Sequence, residues 1–412
     1  MAKKGVSGMD SLPLEGVRIV DFTWVLAGPL CTQMLAAMGA DVVKIESSRR
    51  LDEARTREPF ADRIPGPNRS GPFNSINPCK KSCTLNLTKP EAVELARRLI
   101  KLSDVVIDNF AFGVMERLGL GHEVLMKLKP DLIVVSCTGL GATGPRRHYV
   151  AFGTILHAFA GLTGLIGYPG GSPKAMGGPY TDPLTGIGAA FAILAALHHR
   201  AESGQGQFID ISMAEATIAQ LPEAIMDYTM NGRIRGREGN RDDIMAPHDA
   251  YPCRGGDRWV CIAVTNEEEW QSLCRAMGTP SWTNDARFSD MFSRRRNLKE
   301  LDELISAWTS SRTSYEVMHI LQEAGVPAGP SSTLKDMVTD PHLNERGYFF
   351  ELDHPETGRR IVSGLPWKLG NHPKLEYQPA PVLGQHNSYV FEELLGLTEE
   401  QVAALMANGI AS

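Results

Sequence analysis

Strand-like and helix-like patterns alternate through the first third of this chain, and that alternation restricts the fold more than any other feature. Val17-Arg-Ile-Val-Asp21, Asp41-Val-Val-Lys-Ile-Glu46, Asp104-Val-Val-Ile-Asp108 and Asp131-Leu-Ile-Val-Val-Ser136 are short β-rich runs. Between the first two, residues 28–38 read as a helix with Gly39 as its C-cap. Ahead of the third, Thr88-Lys-Pro-Glu91 reads as a capping box opening a helix with Ala92, Leu95, Leu99 and Leu102 on one face. Strands alternating with helices predict an α/β fold around a parallel, doubly wound sheet. Ligands in such sheets bind beyond the carboxyl ends of the strands.

The rest of the chain divides by pattern. Its 412 residues predict two or three domains. Residues 1–200 read as the first part of a large domain, and within them the Pro- and Arg-rich stretch 47–78 reads as a functional loop. Residues 201–246, with Gly and Arg clustered at 232–241, read as a linker, and the charge run as solvated. Residues 247–330 read as a small α+β domain: a hairpin from Tyr251 to Val264, then a helix capped by Asn266, then two more helical patterns. A second hairpin is expected between Tyr348 and Lys368. A net charge of −6 gives no reason to expect a nucleic-acid partner. No apolar run reaches the ~18 residues that span a membrane. Seven scattered Cys and an N-terminus without an apolar leader fit reduced thiols and a cytoplasmic protein. Cys and His spacings predict no metal site.

Asp182 is the most informative single residue. It stands in Tyr180-Thr-Asp-Pro-Leu-Thr-Gly186, just before the most apolar helical pattern, 184–197. Asp is a favoured N-cap and Pro a favoured first helical residue, so the carboxylate is expected at a helix mouth. Small residues at 186 and 188–190 leave room for a large ligand beside it. On local sequence alone, a cap and a reactive group are both open. Other motifs are weaker. Gly139-Leu-Gly-Ala-Thr-Gly144 matches a dinucleotide fingerprint, but Pro145-Arg-Arg-His follows it and no acid stands ~20 residues on, as that fold requires. There is no G-x-S-x-G elbow and no Walker loop. His157 reads as a core residue, and the Arg294-Arg-Arg run as solvated surface.

The ordered set of motifs resembles the class III CoA-transferases, the CaiB/BaiF family. Val17-Arg-Ile-Val-Asp-Phe-Thr, Ala27-Gly-Pro29, Met38-Gly-Ala-Asp-Val-Val-Lys-Ile-Glu46 and Cys79-Lys-Lys-Ser open the match. Asp108-Asn-Phe110, Glu116-Arg-Leu-Gly119, the Gly139 to Pro145 segment and Asp182 continue it, and Ala324-Gly-Val-Pro-Ala-Gly-Pro330 and Pro381-Val-Leu-Gly-Gln-His386 carry it to the C-terminal part. The resemblance implies a Rossmann-like large domain completed by the return of residues 331–412, a small domain, and two subunits threaded through each other as an interlocked homodimer, or a heteromer with a related subunit. It implies that Asp182 is the nucleophile and that Val25, Ala27, Lys80, Asn109, Phe110 and Arg117 contact coenzyme A. The substrates would be acyl-CoA and carboxylic acid, with no permanently bound cofactor. Against formate/oxalate members, the chain has Leu26 in place of a Gln, Ser47 in place of an Arg and Thr138 in place of a Lys; Arg49, Arg50 and Lys44 are candidates to replace the lost phosphate contacts. The racemases of the family use a His-Asp dyad where this chain has Phe152 and Gly153, which disfavours racemisation. The variant motifs look like the succinyl-CoA-dependent branch that includes benzylsuccinate CoA-transferases. A noncatalytic partner subunit, a racemase and an NAD-dependent enzyme are the alternatives. The Gly167–Gly178 segment is a candidate lid.

Overall fold

The computed structural model describes residues 11–370, 373 and 375–412. Strands β1 (Arg18–Asp21), β2 (Asp41–Glu46), β3 (Lys81–Thr84), β4 (Val105–Asp108), β5 (Ile133–Thr138) and β6 (Gln207–Ser212) form one sheet in the order β3-β2-β1-β4-β5-β6. Every neighbouring pair is parallel. This is the dinucleotide-fold order, and it reverses direction between β1 and β4. The crevice beyond the carboxyl ends of those two strands is therefore where a ligand is expected.

Both faces of the sheet are covered, which is why its inner strands are apolar on both sides. Helices α1 (Ala27–Ala37), α2 (Pro90–Lys101), α3 (Gly153–Phe159), α4 (Thr181–Ser203) and α5 (Met213–Ile218) belong to this unit. Side chains alternate along each strand. Val20 and Val106 thus pack with Leu95 and Leu99 of α2 and with Val390 and Phe391. Ile19 and Ile107 pack on the other face with Leu35 of α1 and Ile193 of α4. Helices α1 and α4 approach closely at Gly186, where an added Cβ would lie 2.6 Å from the Ala27 carbonyl oxygen. Only glycine permits that approach, and it brings the start of α1 beside the start of α4.

Contacts divide the described chain into a larger unit (11–163, 175–234 and 346–412) and a smaller one (164–174 and 235–345). Residues 201–234 are not a linker: β6 is a full strand of the large sheet, pairing with β5 from Gln207 to Ser212. Residues 331–345 fall in the smaller unit. That unit has an antiparallel sheet of β7 (His248–Pro252), β8 (Trp259–Ala263) and β9 (Ala328–Pro330), with a core of Trp270, Leu273, Phe288, Leu301 and Val317.

Several local expectations need correction. Helix α2 begins at Pro90 with Lys89 as a bare N-cap, and the Thr88 N–H that a capping box would give to Glu91 is donated to Asn86 instead. Arg294 is fully buried rather than solvated: its guanidinium lies 4.6 Å over Trp270 and pairs with Glu267 at 2.6 Å, which satisfies the charge inside the small core. Helix α4 runs 23 residues, longer than the apolar pattern, and by length and composition alone it could cross a membrane. Its Thr185, Ala189 and Ile193 face is buried within the larger unit.

Candidate functional site

The loop leaving β1 builds the site. Asn109, just past β4, brackets Trp24: it accepts from the Trp24 N–H at 2.7 Å and donates to the Trp24 carbonyl at 2.8 Å. Phe110 meets the Trp24 ring edge-on at 5.5 Å. Val25 follows with φ +66°, an unfavourable conformation for a β-branched residue. Its N–H is held by Asp52 at 2.9 Å, and Asp52 is in turn paired with Lys44 at 3.1 Å, both fully buried. Strain of this kind persists only where surrounding contacts overdetermine it. The turn ends at the start of α1, whose first N–H, that of Ala27, favours the ionised form of the Asp182 carboxylate. Val25, Ala27, Asn109 and Phe110 therefore converge at the switch point between β1 and β4.

Asp182 is not a cap. Thr181 opens α4, so Asp182 lies inside the first turn, and the cap is supplied from outside: His157 of α3 accepts the Thr181 N–H on Nε2 at 3.0 Å. The carboxylate is half-buried. Burial pushes its pKa up to about 6, opposed by its own N–H, the Ala27 N–H and the positive charge of Arg57. A Cβ added at Gly153 would overlap Asp182 Oδ2, so the bare backbone there makes space for the carboxylate. The racemase-dyad positions are thus an exposed Phe152 and a glycine pressed against the Asp182 carboxylate. Gly153 and His157 are one helical turn apart, the first against the Asp182 carboxylate and the second against the N–H of the residue before it. Sequence reading assigned neither this role, nor did it flag Arg57; the only available signal was the i, i+4 spacing on a short helix.

The cations fall in two groups. Lys80 is buried, and its ammonium donates to Pro29 O at 2.8 Å, Asn77 Oδ1 at 2.9 Å and Asp21 Oδ2 at 3.3 Å. Burial lowers its pKa to about 8 despite the neighbouring Asp21 charge. With its protons committed to these three acceptors, the Lys80 ammonium anchors α1 and has none left for the coenzyme A contact that the resemblance implies. The same correction applies to Lys44, which is sealed against Asp52 and the Thr23 carbonyl. Arg117, at the end of the short helix Val114–Arg117, Arg49 and Arg50 are exposed, and Arg50 lies 5.1 Å over the Trp24 ring. Leu26 and Ser47 are half-buried, whereas the Thr138 hydroxyl is buried with no hydrogen-bond partner.

Two other motifs are placed. The Gly139–Gly144 segment follows β5 but opens no helix; the next one starts at Gly153. Its loop is tied instead to β6, where Asp210 accepts the Ala142 N–H at 2.8 Å. In the 167–178 segment, residues up to Lys174 count with the smaller unit, where Gly167 O accepts from Gly239 N at 2.8 Å and Gly171 O from Arg237 Nε at 3.0 Å.

This arrangement can be set beside known proteins. Residues 14–387 match the family described as CoA-transferase family III. The chain belongs to that family. It is a CoA-transferase of CaiB/BaiF type, acting on CoA thioesters. It is 37% identical to the succinyl-CoA–D-citramalate CoA-transferase of Chloroflexus aurantiacus, over 97% of this chain and 98% of that one. It is 32% identical to the succinyl-CoA–L-malate CoA-transferase beta subunit of the same organism, over 97% of this chain and 98% of the relative. A crystal structure of a CAIB/BAIF family protein from Brucella suis superposes with a TM-score of 0.85 at 31% identity, covering 93% of this chain and all (100%) of the other.

Proposed function

We propose that this family III transferase moves CoA from succinyl-CoA to a small dicarboxylic acid, with Asp182 carrying the acyl and then the CoA group. The observation that carries the reading is the Asp182 carboxylate, half-buried at the point where α4 meets the start of α1, with the bare backbone of Gly153 leaving it room. Relatives named for succinyl-CoA with D-citramalate or L-malate support the donor and the acceptor class. Benzylsuccinate, the acceptor of the branch the motifs resemble, is a larger member of the same class.

The chemistry follows from the geometry. A carboxylate is a weak nucleophile, so it must be held against the thioester carbonyl; positioning alone supplies several kcal/mol, up to ~7–11 in ideal cases. An Asp182 oxygen attacks the succinyl thioester carbon and the C–S bond breaks, leaving a mixed anhydride and CoA thiolate. The thiolate attacks the Asp182 carbonyl and releases succinate, leaving an aspartyl-CoA thioester. The acceptor carboxylate attacks the aspartyl thioester carbon and expels CoA thiolate, leaving a second mixed anhydride, and the thiolate then attacks the acceptor side of that anhydride. This returns Asp182 as a carboxylate and releases the new thioester. Each bond broken is matched by one of similar energy, so the cycle is driven by no nucleotide hydrolysis. The Ala27 N–H, at a helix start, is the donor best placed for the oxyanion that forms on the Asp182 carbonyl. Val25, Ala27, Asn109 and Phe110 would line the pantetheine path, with exposed Arg117, Arg49 and Arg50 for phosphates.

An interlocked assembly completes the reading. Ile187, Phe191 and Leu194 of α4 are 54%, 74% and 37% exposed at helical spacing, an apolar stripe that a second subunit would cover. The match to a beta subunit makes a related partner chain a second possibility beside a homodimer. The test is mass spectrometry of the peptide containing Asp182 after incubation of the purified chain with succinyl-CoA. A CoA adduct at Asp182 is expected. Its absence from an intact dimer of this chain would refute the catalytic assignment, and its appearance only with an added related chain would establish the heteromer.

A further inference from the structure

We propose that His157 is a positioning residue for Asp182: by holding the first N–H of α4 on its Nε2, it frees the reactive carboxylate from the capping role that its place in the helix would otherwise impose. The inference rests on the covalent role of Asp182 argued above. Helix starts leave backbone N–H groups without partners, and a short Asp side chain in the first turn is their ready acceptor. Here the Thr181 N–H is taken by a side chain from another helix, at 3.0 Å. Tyr180, the N-cap, makes no capping bond of its own. The other polar groups of Thr181 are fixed too: its Oγ1 meets Thr217 Oγ1 of α5 at 2.8 Å, and its carbonyl accepts from Thr185 Oγ1 at 2.7 Å. The residue before the nucleophile is thus pinned at three points, in a buried setting. With the Thr181 N–H taken by α3, the Asp182 carboxylate keeps only its own N–H and that of Ala27 as backbone donors, and its remaining side faces the crevice.

An acceptor at Nε2 requires the neutral imidazole with its proton on Nδ1. Burial holds His157 neutral by lowering its pKa. The same helix contributes Gly153 one turn earlier, whose missing Cβ makes space for the carboxylate. Leu, which fills space but accepts nothing, leaves the Thr181 N–H without a partner; Gln keeps an acceptor oxygen.

The experiment compares wild type, His157→Leu and His157→Gln by kcat, by KM for succinyl-CoA, and by the single-turnover rate of CoA-adduct formation on Asp182. His157→Leu should lower kcat and the adduct rate by about tenfold or more, with KM changed less than about twofold, because alignment rather than binding is lost. His157→Gln should recover most of both. Adduct formation in His157→Leu at the wild-type rate, or a Gln variant no better than the Leu variant, overturns the proposal. If the Leu variant does not fold, nitrogen NMR of the wild-type imidazole decides: the Nδ1–H tautomer supports the proposal and the Nε2–H tautomer overturns it. A wild-type enzyme that forms no adduct would instead sink the function of Asp182, while the tautomer would still report on His157.

Discussion

Asp21 and Asp182 both neighbour α1 and are both withdrawn from water, yet their surroundings drive them in opposite directions. Asp21 is fully buried and receives the Thr23 N–H at 2.7 Å, the Thr23 hydroxyl at 2.5 Å and the Thr32 hydroxyl at 2.6 Å. Burial alone would raise its pKa, but Lys80, Lys44 and the hydroxyl donors outweigh it and hold the group below the usual range. Among the described residues no lysine acts on Asp182; burial prevails and lifts it to about 6. A carboxylate whose lone pairs are filled is fixed structure. One with an open side and an incomplete set of donors retains the energy to attack. Environments that push like groups apart in pKa are how roles are assigned within one site.

Removing the open carboxylate should break the comparison most completely. Asp182→Asn is expected to lower turnover by about a thousandfold or more, since positioning and covalent catalysis go together. The same variant should be more stable than wild type. The folded pKa of about 6 stands above the ordinary 3.8, so the ionised form opposes folding; that penalty is absent below pH ~4 and fully present above pH ~6, where it approaches about 1–3 kcal/mol. Urea unfolding at pH 7 and pH 4 should therefore show a gain for Asp182→Asn at the higher pH and none at the lower. A loss of stability at pH 7 would contradict the assigned environment.

Breaking the closed side should act on stability instead. Lys80→Met leaves Asp21 without its nearest cation and is expected to cost about 3–5 kcal/mol, as for other halved buried pairs. Lys80→Met combined with Asp21→Asn should recover part of that loss in a double-mutant cycle. If Lys80→Met folds normally and only weakens CoA binding, Lys80 is a ligand contact after all.

Two smaller effects sharpen the contrast. Gly153→Ala displaces the Asp182 carboxylate, which is the far end of a flexible side chain, so folding should change by less than ~1 kcal/mol while kcat falls roughly tenfold to a hundredfold. Equal losses of stability and activity would argue against that reading. The kcat/KM profile should fall about tenfold per pH unit below pH ~6 as Asp182 protonates. Burial also raises Asp108, to about 7, so Asp108→Asn is the control: its acid limb should keep the wild-type midpoint if Asp182 sets it.

Much of the fold was legible in the chain. The β-rich runs became β1, β2, β4 and β5 with shifts of a residue or two at their ends, because a buried parallel strand needs a short, continuous apolar run and little else. Strands β3 and β6 were harder to see. Lys81-Ser-Cys-Thr84 and Gln207-Phe-Ile-Asp-Ile-Ser212 carry polar residues whose partners are distant in sequence, such as Asn387 for Thr84 and Glu46 for Ser82. The site divided in the same way. Resemblance pointed to Asp182, Val25, Ala27, Asn109 and Phe110, and the crevice brings the last four together beside the first. It also pointed to Lys80 for coenzyme A, where the structure commits the ammonium inward.

The sequence by itself determined the alternation of strands and helices, the family, and which acid to suspect, since these depend on local periodicity and on motifs read in order. Only the tertiary structure decided which charges face water and which are sealed, and that α3 rather than Asp182 itself closes the start of α4. Those outcomes depend on contacts such as His157 with Thr181 and Lys80 with Pro29, between residues separated along the chain and joined only by packing. Desolvation and hydrogen-bond supply, which set each carboxylate's reactivity, come into being with that packing.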